Sequence, residues 1–242
     1  MDRDPPSAPT SFGAAPNRRT AQKERTRALL LESTIEVVAT EGLSGTTLGK
    51  VARKAGLSQG IVNFHFESKD QLLHRVLELL TEEYRSGWQA AAEHDGTPGE
   101  RLRRMVTALL APEITERRRL AAWFAYWGDA YARNIYRHIG GRVDEETSAA
   151  LEALCEATAS RLDAPPTESA DEIARTLVAM ISGHWLTKVL RPDTTSMAQS
   201  ADMCLNYLRR VFPGHIPDGP VELASFAVDP DAVDPDAGDS ED

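Results

Sequence analysis

The stretch from Thr46 to Gln71 constrains the fold more than any other part of the chain, and it reads TTLGKVARKAGLSQGIVNFHFESKDQ. The Thr47 hydroxyl can accept a free amide of a first helical turn, and the apolar residues that follow recur at helical spacing. Gly56 suits a left-handed C-cap, and Ser58 can cap a second helix over residues 59–64. Two short helices about a glycine turn are typical of a helix-turn-helix.

The second helix carries small polar residues on one side, namely Ser58, Gln59, Gly60 and Asn63. Side chains of this kind let a helix lie close to base edges and phosphates in a DNA major groove. Gly60 costs about 1 kcal/mol of helix stability relative to alanine, and a close approach to the sugar-phosphate backbone would explain that cost. On these two helices alone, an ordinary helical hairpin remains an equal alternative.

A long helix is predicted to follow, from Lys69 to about Glu93. Ser68 and Gln71 fit a capping box, in which the side chain of each residue accepts a hydrogen bond from the backbone amide of the other. Lys69 stands in that turn, where free amides and a cation together suit a phosphate. A helix of ~25 residues spans roughly 37 Å, which is long enough to link two domains.

The string from Thr46 to Leu73, with the helix before it and the helical length after it, resembles the tetracycline-repressor (TetR) family of regulators. The resemblance implies an all-α fold of about nine helices. Its N-terminal three-helix helix-turn-helix domain, here called the reading head, would cover residues 18–67. A regulatory domain for ligand binding and dimerisation would cover residues 68–212, with residues 68–94 as the linking helix.

The resemblance also implies how the reading head meets DNA. Gln59 and Asn63 are predicted to read bases. Phosphate contacts are predicted for Lys50, Lys69, Thr46 and Thr47. Relatives place a tyrosine hydroxyl on a phosphate where Phe64 has none, so the contact at Phe64 is apolar or absent. The predicted DNA-binding residues are Thr46, Thr47, Lys50, Ser58, Gln59, Gly60, Asn63, Phe64, His65 and Lys69.

The charge distribution supports a local nucleic-acid surface. The net charge is −10, but residues 18–64 hold eight Lys or Arg against four Glu, whereas residues 213–242 hold nine acids and no Lys or Arg. A basic face need only be local to attract DNA. We expect residues 1–17 and the acidic tail, residues 213–242, to be disordered because both are rich in proline or charge and lack apolar periodicity.

Other features of the sequence exclude several classes of protein. No apolar run is long enough to span a membrane, and the N-terminus lacks the apolar core of a signal peptide, so we expect a cytoplasmic protein. Cys155 and Cys204 are far apart in helical patterns and are predicted to be buried apolar residues without a disulfide or a metal. No motif indicates a cofactor.

The most aromatic stretch contains Trp123, Phe124, Trp127 and Tyr131, and Trp185 follows in a later helix. Trp123, Trp127 and Tyr131 share a helical face. Such rings can enclose an apolar ligand or a quaternary ammonium, although a packed aromatic core is the alternative. The segments AWFAYWGDA and SGHWLTKVL resemble the choline-responsive betaine-synthesis repressors (BetI type). The resemblance makes these five residues candidate ligand contacts for a choline-like cation or an apolar effector.

The last two helices, predicted over residues 169–190 and 196–212, are apolar and joined by a short loop. Paired with a twofold mate they would form a four-helix bundle, the way the family dimerises. The alternative is an internal hairpin that completes a monomer core. The predicted dimer interface comprises Ile173, Leu177, Ile181, Met197, Ala201, Leu205 and Leu208.

These features favour a ligand-responsive DNA-binding regulator, a repressor that binds a palindromic operator as a homodimer and is released by a small molecule. One alternative is a helical scaffold that binds a protein partner through the aromatic segment. An enzyme is the weaker alternative, because the sequence has no HExxH, GxSxG, glycine-rich phosphate loop or CxxC motif.

Overall fold

The computed structural model describes residues 18–129 and 132–223 of the chain. Within these ranges the chain forms ten helices and no strand, which confirms the predicted all-α fold. The predicted disorder of residues 1–17, most of the predicted acidic tail and the candidate ligand contact Tyr131 lie outside the described residues.

The helices are α1 (Arg18–Gly45), α2 (Leu48–Ala55), α3 (Gln59–His65), α4 (Lys69–Ala92), α5 (Pro98–Leu109), α6 (Pro112–Thr115), α7 (Arg117–Gly128), α8 (Ala132–Ala159), α9 (Ala170–Leu190) and α10 (Met197–Val211). Nine of them follow the helical periodicity of the sequence. The tenth, α6, is a single turn that begins at Pro112.

The reading head consists of α1, α2 and α3. Val62 of α3 is fully buried, and it packs in the same core as Leu30 of α1 and Val51 of α2. Gly56 has φ of 68°, so the chain reverses in the left-handed conformation that glycine adopts without strain. Gly42 has φ of 72° and interrupts α1, after which one more turn continues to Gly45.

The linking helix α4 runs from the reading head into the regulatory domain. The Gln71 amide donates to the Ser68 hydroxyl at 3.1 Å, as the predicted cap requires. The Gln71 side-chain oxygen accepts from the Glu67 amide at 2.7 Å, so it caps one residue earlier than the predicted capping box. Most of the α4 apolar residues are buried against α5 and α8, and its start packs on α1.

The regulatory domain contains α5 to α10, and its core corrects the predicted dimer interface. All seven residues assigned to that interface are buried within a single chain, at 7% exposure or less: Ile173, Leu177, Ile181, Met197, Ala201, Leu205 and Leu208. The reason is that α9 packs on α8 while α10 packs on both α9 and α5, so this apolar stripe faces the protein's own core. Cys155 and Cys204 are also buried there, unpaired, as predicted.

The first part of the predicted disordered tail is instead folded onto the regulatory domain. Ile216 is buried, and the Arg103 and Arg209 guanidiniums each donate to the Pro217 carbonyl at 3.1 Å. The prolines of this segment lack an amide to donate, but their carbonyls remain available to these two arginines. The predicted boundary at residue 213 is therefore too early, because residues 213–223 are held in place.

Candidate DNA-binding surface and aromatic crevice

The helix-turn-helix presents a continuous polar face. Thr47 caps α2 by accepting from the Lys50 amide at 3.3 Å. Burial of Val62 fixes the rotation of α3, so Ser58, Gln59, Gly60 and Asn63 are all exposed on its other side. The structure thus brings the candidate base-reading residues together on the surface of the reading head.

Two apolar residues of α3 are exposed beside this polar face. Phe64 is 75% exposed and Ile61 is 37% exposed. The Phe64 ring meets the His65 ring edge-on with centroids 5.3 Å apart. The exposed ring lies beside the polar face, so it is a candidate contact for a molecule that binds this face.

His65 connects the end of α3 with the basic start of α1. Burial lowers the pKa of His65, and the nearby charges of Lys23 and Arg27 lower it further. These two α1 cations therefore lie close to the C-terminal end of α3. The excess of Lys and Arg over residues 18–64 indicated a basic surface, but it did not identify which cations approach His65.

Thr46 does not take the role predicted for it. It is fully buried, and its hydroxyl donates to the Gly42 carbonyl at 2.8 Å. Its burial and this bond turn the hydroxyl inward, so it cannot reach a phosphate. The neighbouring Thr47 is exposed and remains a candidate.

The two candidate lysines differ in their present partners. Lys50 forms an ion pair with Glu41 and donates to the Gly45 carbonyl at 2.7 Å, so a phosphate would have to replace these partners. Lys69 is half-buried in the first turn of α4 and lines a recess of about 140 Å³ between the reading head and the regulatory domain.

The tryptophans of α7 and α9 meet in an aromatic cluster. The Trp123 and Trp185 ring centroids are 6.4 Å apart, and both rings lie 5.6 Å from Tyr84 of α4. Tyr136 of α8 lies 5.8 Å from Trp123. The Trp185 indole donates to the Leu109 carbonyl at 3.0 Å, whereas the Trp123 indole N–H meets no acceptor among the described residues.

A small cavity, here called the aromatic crevice, adjoins this cluster. Its lining residues are Leu80, Glu83, Tyr84, Ile114, Arg119, Leu120, Trp123 and Trp185. Its volume of about 20 Å³ holds about one water molecule. The space between α7 and Trp185 is therefore filled by aromatic side chains in this structure, and an effector would need the lining to move.

The remaining candidate ligand contacts lie at the edge of the cluster. Phe124 and Trp127 are half-buried, with ring centroids 5.0 Å apart, and Trp127 lies 5.8 Å from Tyr136. Sequence reasoning missed Tyr84 and Tyr136 as members of the cluster. Each sits in another helix, and only the packing of α4 and α8 against α7 brings the rings together.

Comparison with known proteins agrees with this geometry. Residues 30–76 match the family described as bacterial regulatory proteins, tetR family, and residues 98–213 match the family described as BetI-type transcriptional repressor, C-terminal.

None of the described helices is long and apolar enough to cross a membrane.

Individual relatives cover most of the chain. The HTH-type transcriptional regulator BetI of Burkholderia thailandensis is 32% identical over 172 residues, which is 69% of this chain and 84% of that protein. The regulator of the same name from Serratia proteamaculans is 27% identical over 195 residues, covering 79% and 94%. A crystal structure of a candidate transcriptional regulator from Pseudomonas aeruginosa PAO1 superposes with a TM-score of 0.64 at 25% identity, covering 79% and 92%.

Proposed function

Because the chain belongs to the TetR family of ligand-responsive, DNA-binding transcriptional regulators and carries a BetI-type repressor C-terminal domain, we propose that it represses transcription as a homodimer on a palindromic operator. A small molecule bound in the regulatory domain would release it. Its target is cellular DNA, so it would act in the cytoplasm. The relatives are regulators, and no enzymatic role is proposed.

The observation that carries this proposal is the exposed face of α3. Gln59 and Asn63 carry amides that can make paired hydrogen bonds to adenine in the major groove. Lys50, Lys69 and the Thr47 hydroxyl flank them and would position the helix through phosphates. Phe64 would meet a thymine methyl or a sugar rather than donate a hydrogen bond, because it has no hydroxyl.

A second exposed surface supports dimerisation. Large apolar residues exposed in the described ranges fall into two groups, one on the reading head and the other on α9 and α10, where Leu186, Leu190 and Met203 are 44%, 70% and 58% exposed. Ala179, Gly183, Leu186 and Leu190 follow one another at spacings of four, three and four residues, so they share one face of α9. We place the dimer interface on this outer face, and it replaces the seven core residues predicted from the sequence.

Dimerisation follows from what the reading head must do. A single α3 covers only one half-site, and two half-sites about 34 Å apart match one turn of DNA. A twofold pair of α9 and α10 helices would form a four-helix bundle that sets this spacing. An effector that changes the spacing would lower DNA affinity by the difference in its binding to the two states.

The effector is proposed to be a choline-like cation or an apolar compound. Support comes from the aromatic rings of Trp123, Trp185, Phe124 and Trp127, since an aromatic cluster suits either class. The BetI relatives share the C-terminal domain in which these rings lie.

Substitutions on α3 test the DNA-binding proposal. Gln59→Ala and Asn63→Ala should each weaken binding to a duplex from upstream of the protein's own gene by about 1–3 kcal/mol, while binding to a scrambled duplex changes little. Asn134→Ala removes the same amide from an exposed site on α8 and should have no effect. A protein-binding scaffold predicts unchanged binding in all three variants, and that result would refute the proposal.

A further inference from the structure

A triad of charged residues joins the aromatic crevice to the reading head. The Arg119 guanidinium donates through Nε and Nη2 to the two Glu83 carboxylate oxygens, each at 2.8 Å. It also donates through Nη2 and Nη1 to Glu32, at 2.7 and 3.3 Å. Glu32 belongs to α1, Glu83 to α4 and Arg119 to α7, so one side chain ties three helices together.

The two ends of the triad differ in strength. The Glu83 side chain is 6% exposed and Arg119 is 16% exposed, whereas Glu32 is 45% exposed. Paired charge-assisted bonds away from water are strong, while exposed ion pairs contribute little on their own. Arg119 is therefore anchored by Glu83, and its contact with Glu32 depends on that anchor because the two carboxylates share Nη2.

The anchor also forms part of the crevice wall. Glu83 and Arg119 line the cavity together with the rings of Tyr84, Trp123 and Trp185. Burial raises the pKa of Glu83, so the ionised carboxylate depends on a cation beside it. Two carboxylates and one guanidinium leave the triad with one excess negative charge, and aromatic faces also attract cations. Both features favour a cationic ligand over an anionic one.

We propose that Arg119 is the coupling residue of this regulator: a small organic cation that enters the aromatic crevice takes its place on Glu83 and thereby weakens the tie between α7 and α1. This inference rests on the proposed function and specifies its effector class and its route. A cavity of about 20 Å³ admits such a ligand only if a lining group moves out. Arg119 is long and partly exposed, so it can move its charge into water.

The consequence for the reading head follows from the shared guanidinium. Once Arg119 leaves Glu83, its contact with Glu32 is a single exposed ion pair, so the polar tie between α1 and α7 is weakened. The ligand binds the released state better than the tied state, so it shifts the protein toward a reading head that no longer fits the operator. The neighbouring Arg118 provides a control, because it is 51% exposed, pairs with Glu116 of its own segment at 3.0 Å, and makes only a long ion pair with Glu36 of α1, at 3.7 Å.

The test separates ligand binding from coupling. Choline chloride is the cationic probe, 3,3-dimethylbutan-1-ol is its uncharged isostere, and sodium chloride keeps the ionic strength constant. Tryptophan fluorescence reports occupancy of the crevice, and fluorescence anisotropy reports binding to the upstream duplex. In the unmodified protein, choline should weaken DNA binding at least tenfold, and the isostere should not.

Two substitutions should divide these effects. Glu83→Gln should weaken the choline-dependent fluorescence change at least tenfold. Glu32→Gln should keep that change but reduce the choline effect on DNA affinity to less than threefold, and Arg118→Gln should behave like the unmodified protein. An unaltered choline effect in Glu32→Gln, or an isostere as effective as choline, would overturn the inference.

The experiment distinguishes failure of the proposed function from failure of the coupling role of Arg119. A protein that binds its upstream duplex but shows no response to choline in either measurement retains the proposed function and loses this inference. A protein that does not bind the duplex even without choline loses the proposed function, and the coupling inference falls with it.

Discussion

Replacing Gly60 with alanine separates the stability of the reading head from its fit to DNA. Gly60 is the second residue of α3, is exposed, and has backbone torsions open to any residue. A Cβ built at this position meets only the Ser58 hydroxyl oxygen, at 3.8 Å, which is an ordinary contact. Nothing within the protein therefore requires glycine here.

The size of the stability effect follows from helix propensity. Glycine within a helix is about 0.5–1 kcal/mol less favourable than alanine, so Gly60→Ala should stabilise the protein by up to that amount. For a chain of this size the melting temperature should rise by about 1–4 °C. If α3 lies against the sugar-phosphate backbone, the added methyl group should weaken binding to the upstream duplex about tenfold, or about 1.4 kcal/mol.

Calorimetry and fluorescence anisotropy on the same preparation measure both quantities. Gly141→Ala in α8 is the matched control, because its Cβ would lie 3.9 Å from the nearest atom, the Tyr136 carbonyl oxygen. It should raise the melting temperature similarly and leave DNA affinity unchanged. If Gly60→Ala raises the melting temperature and binds DNA as tightly as the unmodified protein, α3 does not approach the backbone closely and the reasoning fails.

Three further predictions concern the reading head and the dimer. Thr46→Val should lower the free energy of unfolding by about 1 kcal/mol through loss of a buried hydrogen bond, while the folded protein binds DNA normally. Thr47→Ala should lower it by a similar amount through loss of a helix cap and should also weaken binding to the duplex. Equal DNA affinities of the two variants, measured on samples whose folding calorimetry has verified, would contradict this. Burial and the nearby cations lower the pKa of His65 in the free protein, so a phosphate that raises this pKa makes DNA binding take up protons. The affinity for DNA should therefore increase as the pH falls from 8 to 6. His65→Asn should remove this pH dependence, and a dependence that persists in the variant would contradict the role of His65. Leu190→Glu should convert the dimer to a monomer in analytical ultracentrifugation, and a dimer that survives it would move the interface elsewhere.

The local signals of the sequence predicted most of the helices and several of their caps, although Ser58 begins α3 without the predicted side-chain cap hydrogen bond. Thr47, Gly56 and Ser68 act as caps in the structure because capping depends on residues within one turn. Adjacent threonines show the limit of such signals. Thr46 and Thr47 have the same chemistry, and the entry of the chain into α2 decides which hydroxyl is buried and which is exposed.

Features that depend on packing between distant segments were not predictable from periodicity. The spacing of apolar residues shows that α9 has a buried face, but it does not show whether the covering helix belongs to the same chain. Ile181 is covered by the chain itself, while Leu186 and Leu190 on the opposite face are not. The Arg119 triad joins residues that are 87 and 36 positions apart, so no local pattern could reveal it.

The salt dependence of DNA binding tests the central claim most directly. Lys50 and Lys69 from each protomer would contact four phosphates in a dimer, so the logarithm of the association constant for the upstream duplex should fall with the logarithm of the salt concentration with a slope of about −3.6 or steeper. The double variant Lys50→Gln with Lys69→Gln should make that slope less steep by about 3.6. Binding whose affinity does not change with salt concentration would contradict a reading head that grips DNA through its phosphates.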